Sequence, residues 1–470
     1  MRIYNTLTRR KEEFVPLAAN KVKIYWCGST VYDHMHVGNA RTHVVLDVVR
    51  RYFEYKGYEV TTVQNFTDVD DKLIKRSNEE GVTASEIADR YIGSVLREAR
   101  CLNVKDATHH PRVTDEMPEI IDMIDELAEK GYAYETNGTV YYETAKFPGY
   151  GKLSHKNTDD LIAGARVDVS EEKKNPSDFV LWKPAKPGEP YWESPWGPGR
   201  PGWHIECSAM AKKYLGNTID IHGGAEDLIF PHHENEIAQS EAANGAPLSN
   251  YWMHVRFLTL DHQKMSKSKG KNVTVTDLAE RFPYEAIRFF YVSQNYGSPI
   301  NFSEELLASA ASGLDRIKNA VFNLAFIAEN AADAPLKPEE ENHLEESEVF
   351  VKDFEDAMDD DFNSADAVTA IFEFVKFANI RAGSDSTKGF AAALHDRLTG
   401  LCGILGIEFN RAEAAAESEI EKLIDRRNEA RKNRDYATAD EIRAELISKG
   451  IVLEDTPGGA RWAYREVKNA

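Results

Sequence analysis

The chain of 470 residues is poor in cysteine: Cys27, Cys101, Cys207 and Cys402 are the only four, and no two are spaced as Cys-x-x-Cys. Four thiols in so long a chain do not make a disulfide framework, so reduced side chains are expected, some of them available as ligands or catalytic groups. Long apolar runs are missing as well. Nothing approaches the roughly 18 to 20 apolar residues of a membrane span, and Met1 to Lys11 has no run of signal-peptide type. A cytoplasmic protein without a membrane partner is the expectation. There is no internal repeat, and no apolar heptad pattern to form a dimer seam, which points to a monomer. An excess of positive charge is lacking too: 57 Lys and Arg face 78 Asp and Glu, a net charge of −21. The negative charge is not evenly spread. Asp333 to Asp361 carries 13 Asp and Glu against two Lys, the composition of a solvated face or linker. The C-terminal stretch is close to neutral, with basic clusters between Asp425 and Arg434. Nucleic-acid binding responds to local patches, so overall acidity does not exclude an RNA partner.

What is present reads as an ordinary globular chain, 42% hydrophobic and 29% charged, long enough for two to four domains. Lys21 to Cys27 is an apolar, β-rich run. A turn at Gly28 to Thr30 and a glycine-containing crossing, His36-Val37-Gly38-Asn39, precede a helical pattern from Ala40 to Tyr55, and Tyr58 to Asn65 reads as a second strand. Strand, helix and strand in so short a span make a βαβ unit, hence a parallel sheet with buried strands. Ligands of such sheets sit beyond the carboxyl ends of the strands, where Cys27, His36 and Thr67 fall. From about residue 119 the pattern loosens, and the Pro-, Gly- and Trp-rich stretch 184–202 reads as an insertion between two halves of the α/β unit. The sheet pattern resumes at Asn217 to His222. Residues 248–305 carry a basic loop around Lys264. Helical patterns follow, from Leu306 to Ala328 and again from Val349, with the acidic linker between them. A small module from about 406 ends in a turn, Thr456 to Gly459, and a short strand, Arg461 to Tyr464.

Two motifs carry most of the chemistry. Lys264-Met265-Ser266-Lys267-Ser268 is a loop whose ammonium and hydroxyl groups can fold over a polyphosphate; alone, it reads equally well as an exposed basic loop. His36-Val37-Gly38-Asn39 places a glycine and two donors at a helix start, where free N–H groups and the positive dipole end favour phosphate; alone, it reads better as a turn with a satisfied histidine. For metal, His232 and Glu236 stand at i and i+4 on one helix face. Unaided, that pair reads as a surface contact and Cys207 as a small buried hydrophobe. Cys101 and Cys402 sit in helical patterns as packing residues, and His109-His110 reads as loop.

Together the first two motifs resemble the two-part active site of class I aminoacyl-tRNA synthetases, with Val37 for the usual Ile and Asn39 for the second His. Cys27-Gly-Ser-Thr-Val-Tyr-Asp33, Asn65-Phe-Thr-Asp-Val-Asp-Asp-Lys72, Gly202-Trp-His-Ile-Glu-Cys-Ser-Ala-Met210, His222-Gly-Gly-Ala-Glu-Asp-Leu228 and Phe230-Pro-His-His-Glu-Asn-Glu236 resemble the cysteine-specific branch, and the similarity runs over essentially the whole chain. The resemblance implies an α/β fold: a parallel-sheet, Rossmann-like catalytic domain in two halves (1–118 and 196–247) around an insertion (119–195). A stem-contact region (248–305), an α-helical bundle (306–405) and a small anticodon-binding module (406–470) follow.

The resemblance implies the reaction too: ATP-dependent activation of L-cysteine, then esterification to the terminal ribose of tRNA(Cys). His36, Asn39, Lys264 and Lys267 would be catalytic, and Gly38, Met265, Ser266 and Ser268 would bind ATP with Mg²⁺. Thr67, Trp203 and Asp227 would line the cysteine pocket. Zn²⁺ would be held by Cys27, Cys207, His232 and Glu236, with His233 as the adjacent alternative. Arg431, Tyr436, Asp440 and Asp455 would read the anticodon. An apolar pocket separates small differences by only ~1–3 kcal/mol, whereas zinc prefers sulfur to a neutral hydroxyl, which suits a choice between cysteine and serine. A related ligase joining cysteine to an aminosugar is the nearest rival, and typically lacks the C-terminal module.

Overall fold

The computed structural model describes residues 1–155, 173–260, 263–264, 273–409, 422–424, 426–433, 435–448, 451–456 and 459–464. The chain divides into two compact units, Met1–Ile407 and Glu408–Ala470.

The first unit opens with a hairpin, β1 (Arg2–Asn5) and β2 (Arg10–Glu13). Its centre is a βαβ unit of β3 (Lys21–Trp26), α1 (Val37–Tyr55) and β4 (Glu59–Gln64). The helix begins three residues before the apolar pattern suggests, because Nδ1 of His36 accepts the N–H groups of Gly38 and Asn39 at 3.1 and 3.2 Å and so caps the first turn. Helices α2 (Asp71–Glu80) and α3 (Ala84–Cys101) follow. The described residues carry regular elements where the sequence pattern loosens: α4 (Met117–Glu129) leads into strands β5 (Ala133–Thr136), β6 (Thr139–Tyr142), β7 (Phe179–Pro184) and β8 (Gly199–Pro201), an antiparallel sheet in that order. Then come α5 (Ile205–Leu215), β9 (Ile219–Ala225), a π-type turn at Ile229–His233, α6 (Glu234–Asn244) and β10 (Ser249–Val255). The main sheet runs β10-β9-β3-β4, every pair parallel. Its strands carry Val22, Ile24, Val63, Ile219 and Ile221, all fully buried, and both faces are covered, as parallel sheets require.

Beyond it lie β11 (Leu258–Leu260), β12 (Gln263–Lys264), the short helix α7 (Val275–Ala279), α8 (Tyr284–Val292) and β13 (Ile300–Phe302). Four helices complete the unit: α9 (Glu304–Asn330), α10 (Pro338–Asp359), α11 (Ser364–Arg381) and α12 (Lys388–Ile404). The acidic stretch expected as a linker is therefore helix α10. Pro338 and Glu339 to Glu341 suit a first helical turn, and Ser347, Phe354 and Met358 recur on one buried stripe, with Glu340 the one buried acid of the helix. Cys402 packs in the core of α12 as expected. Cys101 does not: it is exposed at the end of α3. His109 and His110 form a loop edge, with the His110 ring stacked on Phe66.

In the second unit, α13 (Tyr436–Ser448) precedes a hairpin of β14 (Ile451–Thr456) and β15 (Gly459–Tyr464). No helix among the described residues is long and apolar enough to cross a membrane.

Candidate active site and metal centre

The carboxyl ends of β3 and β9 border a cavity of about 280 Å³. Its wall includes Cys27 and Ser29 after β3, His36 and Asn39 at the start of α1, and Trp203, Asp227 and Thr274. Gly28 makes the turn out of β3 possible: a β-carbon there would lie 1.6 Å from the carbonyl oxygen of Asn65, and its N–H is held by Oδ1 of Asn65 at 2.9 Å. His36 caps its own helix through Nδ1, so the neutral ring carries its proton on Nε2. Burial holds its pKa below the usual imidazole range, against the pull of Asp227 and Asp33. Asn39 donates from Nδ2 to Ser29 Oγ at 3.3 Å.

Four donors from different elements meet beside this cavity. Cys27 Sγ lies 3.7 Å from Cys207 Sγ on α5 and 3.3 Å from Oε1 of Glu236 on α6. Nε2 of His232 is 3.0 Å from the same carboxylate oxygen. Two of the four, His232 and Glu236, are oriented from behind. Nδ1 of His232 meets Nδ1 of His204 at 2.9 Å, turning Nε2 toward the cluster, and His222 Nε2 binds the other oxygen of Glu236 at 2.9 Å. Burial pushes the Cys27 thiol up, and Cys207 and Glu236 add to this. Burial raises Cys207 too, but the hydrogen bond from Cys27 and the nearby His232 outweigh it and hold Cys207 at about 6. The pair thus favours one thiolate. Glu236 is buried, which raises its pKa, yet His222 and His232 bring it well below the usual carboxylate range. A second grouping uses Cys27, His222, His233 and Glu236, with His233 Nε2 at 3.4 Å from Cys27 Sγ.

The basic loop starts as a hairpin, Thr259 on β11 pairing with Lys264 on β12. Met265, Ser266, Lys267 and Ser268 lie outside the described residues. Val273 to Val275 lie beside the His36 turn: Val37 N–H donates to Val273 O at 3.1 Å, and Val275 N–H to Met35 O at 2.9 Å. Residues more than 200 positions apart are thereby set on one wall.

A family described as the catalytic domain of class I tRNA synthetases (C) matches residues 13–312, a DALR domain matches 353–410, and the cysteinyl-tRNA ligase anticodon binding domain matches 414–462. A cysteine–tRNA ligase of Lachnospira eligens is 56% identical over 98% of this chain and 100% of its own length. One from Clostridioides difficile is 52% identical over 98% and 99%. The chain belongs to the cysteinyl-tRNA synthetase family. The class I fold is shared more widely: a methionyl-tRNA synthetase of Mycobacterium tuberculosis in complex with methionyl-adenylate superposes with a TM-score of 0.58 at 15% identity, over 82% of this chain and 89% of that one.

Against the sequence expectations for this synthetase family, Trp203 and Asp227 line the cavity with His36, Gly38's neighbour Asn39 and Cys27. Thr67 does not; it is buried, and its hydroxyl donates to Glu206 Oε2 at 2.9 Å. Tyr436 and Asp440 are exposed in the second unit, and the backbone of Asp455 lies in β14. Sequence reasoning missed His204, His222 and His254, the last of which backs His233 at 2.8 Å. It also passed over Lys72 and His34 in the cavity wall. The two quoted segments around residues 204 and 222 contain the first two histidines, but nothing in their spacing shows that His204 turns toward His232 and His222 toward Glu236.

Proposed function

We propose that the chain activates L-cysteine with ATP, forming cysteinyl-adenylate and pyrophosphate, and transfers cysteine to the 3′-terminal ribose of tRNA(Cys). One observation carries the reading: Cys27 belongs both to the cavity that holds His36 and Asn39 and to the buried four-donor cluster. In a tetrahedral zinc site, bonds of 2.0–2.3 Å put donors about 3.3–3.8 Å apart, and the Cys27–Cys207 and Cys27–Glu236 separations fall in this range. The set containing Cys207 has two soft thiols and suits Zn²⁺ better than the His222–His233 grouping. Bound there, Zn²⁺ would hold the substrate as a thiolate and reject the hydroxyl of serine.

The substrate carboxylate is already ionised at neutral pH and requires no general base, so positioning and charge stabilisation suffice. His36 donates from Nε2 toward the phosphates, and Asn39 supplies a second donor. Lys264 and Lys267 supply cations, and Gly38, Met265, Ser266 and Ser268 complete the ATP contacts, with Mg²⁺ held mainly by the phosphates. Asp227 pairs with the substrate ammonium while Trp203 and, from behind, Thr67 shape the pocket. In the second unit Arg431, Tyr436, Asp440 and Asp455 face the anticodon; Tyr436 is 62% exposed and available for base stacking. The reading includes a cytoplasmic monomer divided at the six segments given above.

Amino-acid-dependent ATP–pyrophosphate exchange, run with cysteine and with serine and followed by tRNA charging, tests it. Exchange with cysteine alone, plus charged tRNA, is expected. Exchange without charging would favour the aminosugar ligase, and no exchange from folded, zinc-loaded protein would overturn the reading.

A further inference from the structure

Glu98, on α3, is 5% exposed and belongs neither to the four-donor cluster nor to the residues that line the cavity, although it bonds two of them, His34 and Met35, from behind. Its carboxylate gathers donors from three places. Oε2 accepts the N–H of Met35 at 2.9 Å. Oε1 accepts the hydroxyls of Thr276 at 2.9 Å and Ser94 at 3.3 Å, and lies 3.1 Å from Nδ1 of His34. Met35 is the residue before His36, and its carbonyl in turn accepts from Val275. Thr276 is in the first turn of α7, directly after the chain returns from the basic loop. Among the described residues, the His36 turn and the segment from Val273 are joined by two backbone hydrogen bonds around an isolated His36–Thr274 bridge. A short ladder of this kind frays unless side chains pin it, and a buried carboxylate that draws donors from both of these segments, besides Ser94 on its own helix, costs too much to leave partly unpaired.

We infer that Glu98 is a positioning residue that keeps the His36 turn in register with Val273–Thr276, the segment that follows the Lys264–Ser268 motif in the chain, and so holds the His36 half of the ATP site. The inference rests on the function proposed above. Glu98 acts through Met35 and Thr276 and does not face substrate. A misplacement of about 1 Å at a reacting group costs up to about 10²-fold in rate. The cysteine determinants, Cys27, Trp203 and Asp227, are not attached to Glu98, so recognition of cysteine should survive its loss.

The test is cysteine-dependent ATP–pyrophosphate exchange with the full-length protein and its Glu98→Ala, Glu98→Gln, Thr276→Val and Glu98→Ala/Thr276→Val variants, each below its melting midpoint. Glu98→Ala is expected to lower kcat about 10- to 100-fold while KM for cysteine stays within about twofold. Glu98→Gln should recover most of the rate, because its amide oxygen still accepts from Met35 while its NH₂ donates to the two hydroxyls. Thr276→Val should lower kcat modestly, and the double variant should be no slower than Glu98→Ala. Wild-type kcat in folded Glu98→Ala, no recovery by Glu98→Gln, or independent multiplication of the two effects would each overturn the inference. If Glu98→Ala does not fold, Thr276→Val decides: lost kcat at an unchanged melting temperature supports it, and unchanged kcat overturns it. Absence of exchange in the wild-type protein is a separate result, and strikes at the proposed function itself.

Discussion

At the scale of single residues, a carbon added at Gly28 would lie inside the Asn65 carbonyl, so the backbone that aims Cys27 admits glycine alone. Cys27 aimed in this way is half of a donor pair whose other half, Cys207, comes from 180 positions further along the chain. In the proposed zinc site, Cys207→Ser would replace a soft donor by a neutral hydroxyl. It should lower zinc stoichiometry, read by metal analysis, and cut cysteine-dependent exchange at least about 10-fold with the far-ultraviolet circular dichroism unchanged. His43 makes a different prediction. Burial, helped by nearby His110, pushes its pKa down from 6.5 to about 4. Between those values the unfolded chain binds the proton and the folded chain does not, so stability is full above about pH 6.5 and falls as the pH drops toward 4. For this one group the loss at pH 4 is about 3 kcal/mol. In thermal melts from pH 7 to pH 4.5, His43→Gln should lose less stability than the wild type over the same range. Parallel slopes would show that His43 is not held neutral.

At the scale of elements, the acidic run teaches the most. Its 13 acids hide an apolar stripe at helical spacing, so composition reads as linker while periodicity reads as helix. Glu340 shows that one of these acids is structural: its carboxylate accepts the N–H of Lys337 at 2.9 Å and both the N–H and hydroxyl of Thr387 at 2.8 and 2.9 Å. It thereby ties the starts of α10 and α12 together. Glu340→Ala should destabilise the first unit by about 1–3 kcal/mol, seen as a lower melting temperature, and leave kcat for exchange unchanged. The strands of the insertion were not legible, because short antiparallel strands interrupted by Pro and Gly have little periodicity to read. The βαβ core was legible, since buried parallel strands are continuous apolar runs.

At the scale of the whole molecule, the first unit contains every element that forms the cavity and the donor cluster. Its last residues are locked to the catalytic half: Arg288 donates to Asp47 at 2.6 Å and to the Leu405 carbonyl at 2.8 Å, and Gly406, at φ +68°, leaves room for that guanidinium. A chain ending at Ile407 should therefore keep cysteine-dependent exchange within a few-fold of the full protein. It should lose most tRNA charging, because the second unit carries the proposed anticodon contacts. Loss of exchange together with charging would instead show that the first unit depends on the second.

By itself the sequence determined the sheet's central strands, the two motifs and the family, because each is a matter of local pattern or of residue identity at fixed spacing; Cys27, Cys207, His232 and Glu236 were named together only through the family resemblance. The tertiary structure alone decided what those residues face. It brought Cys27 and Cys207 to 3.7 Å, set His204 and His222 behind His232 and Glu236, committed Thr67 to Glu206, and placed Glu98 between two distant segments. Such pairings depend on how the strands and helices cross, and a linear spacing of 139 or 180 residues carries no trace of that.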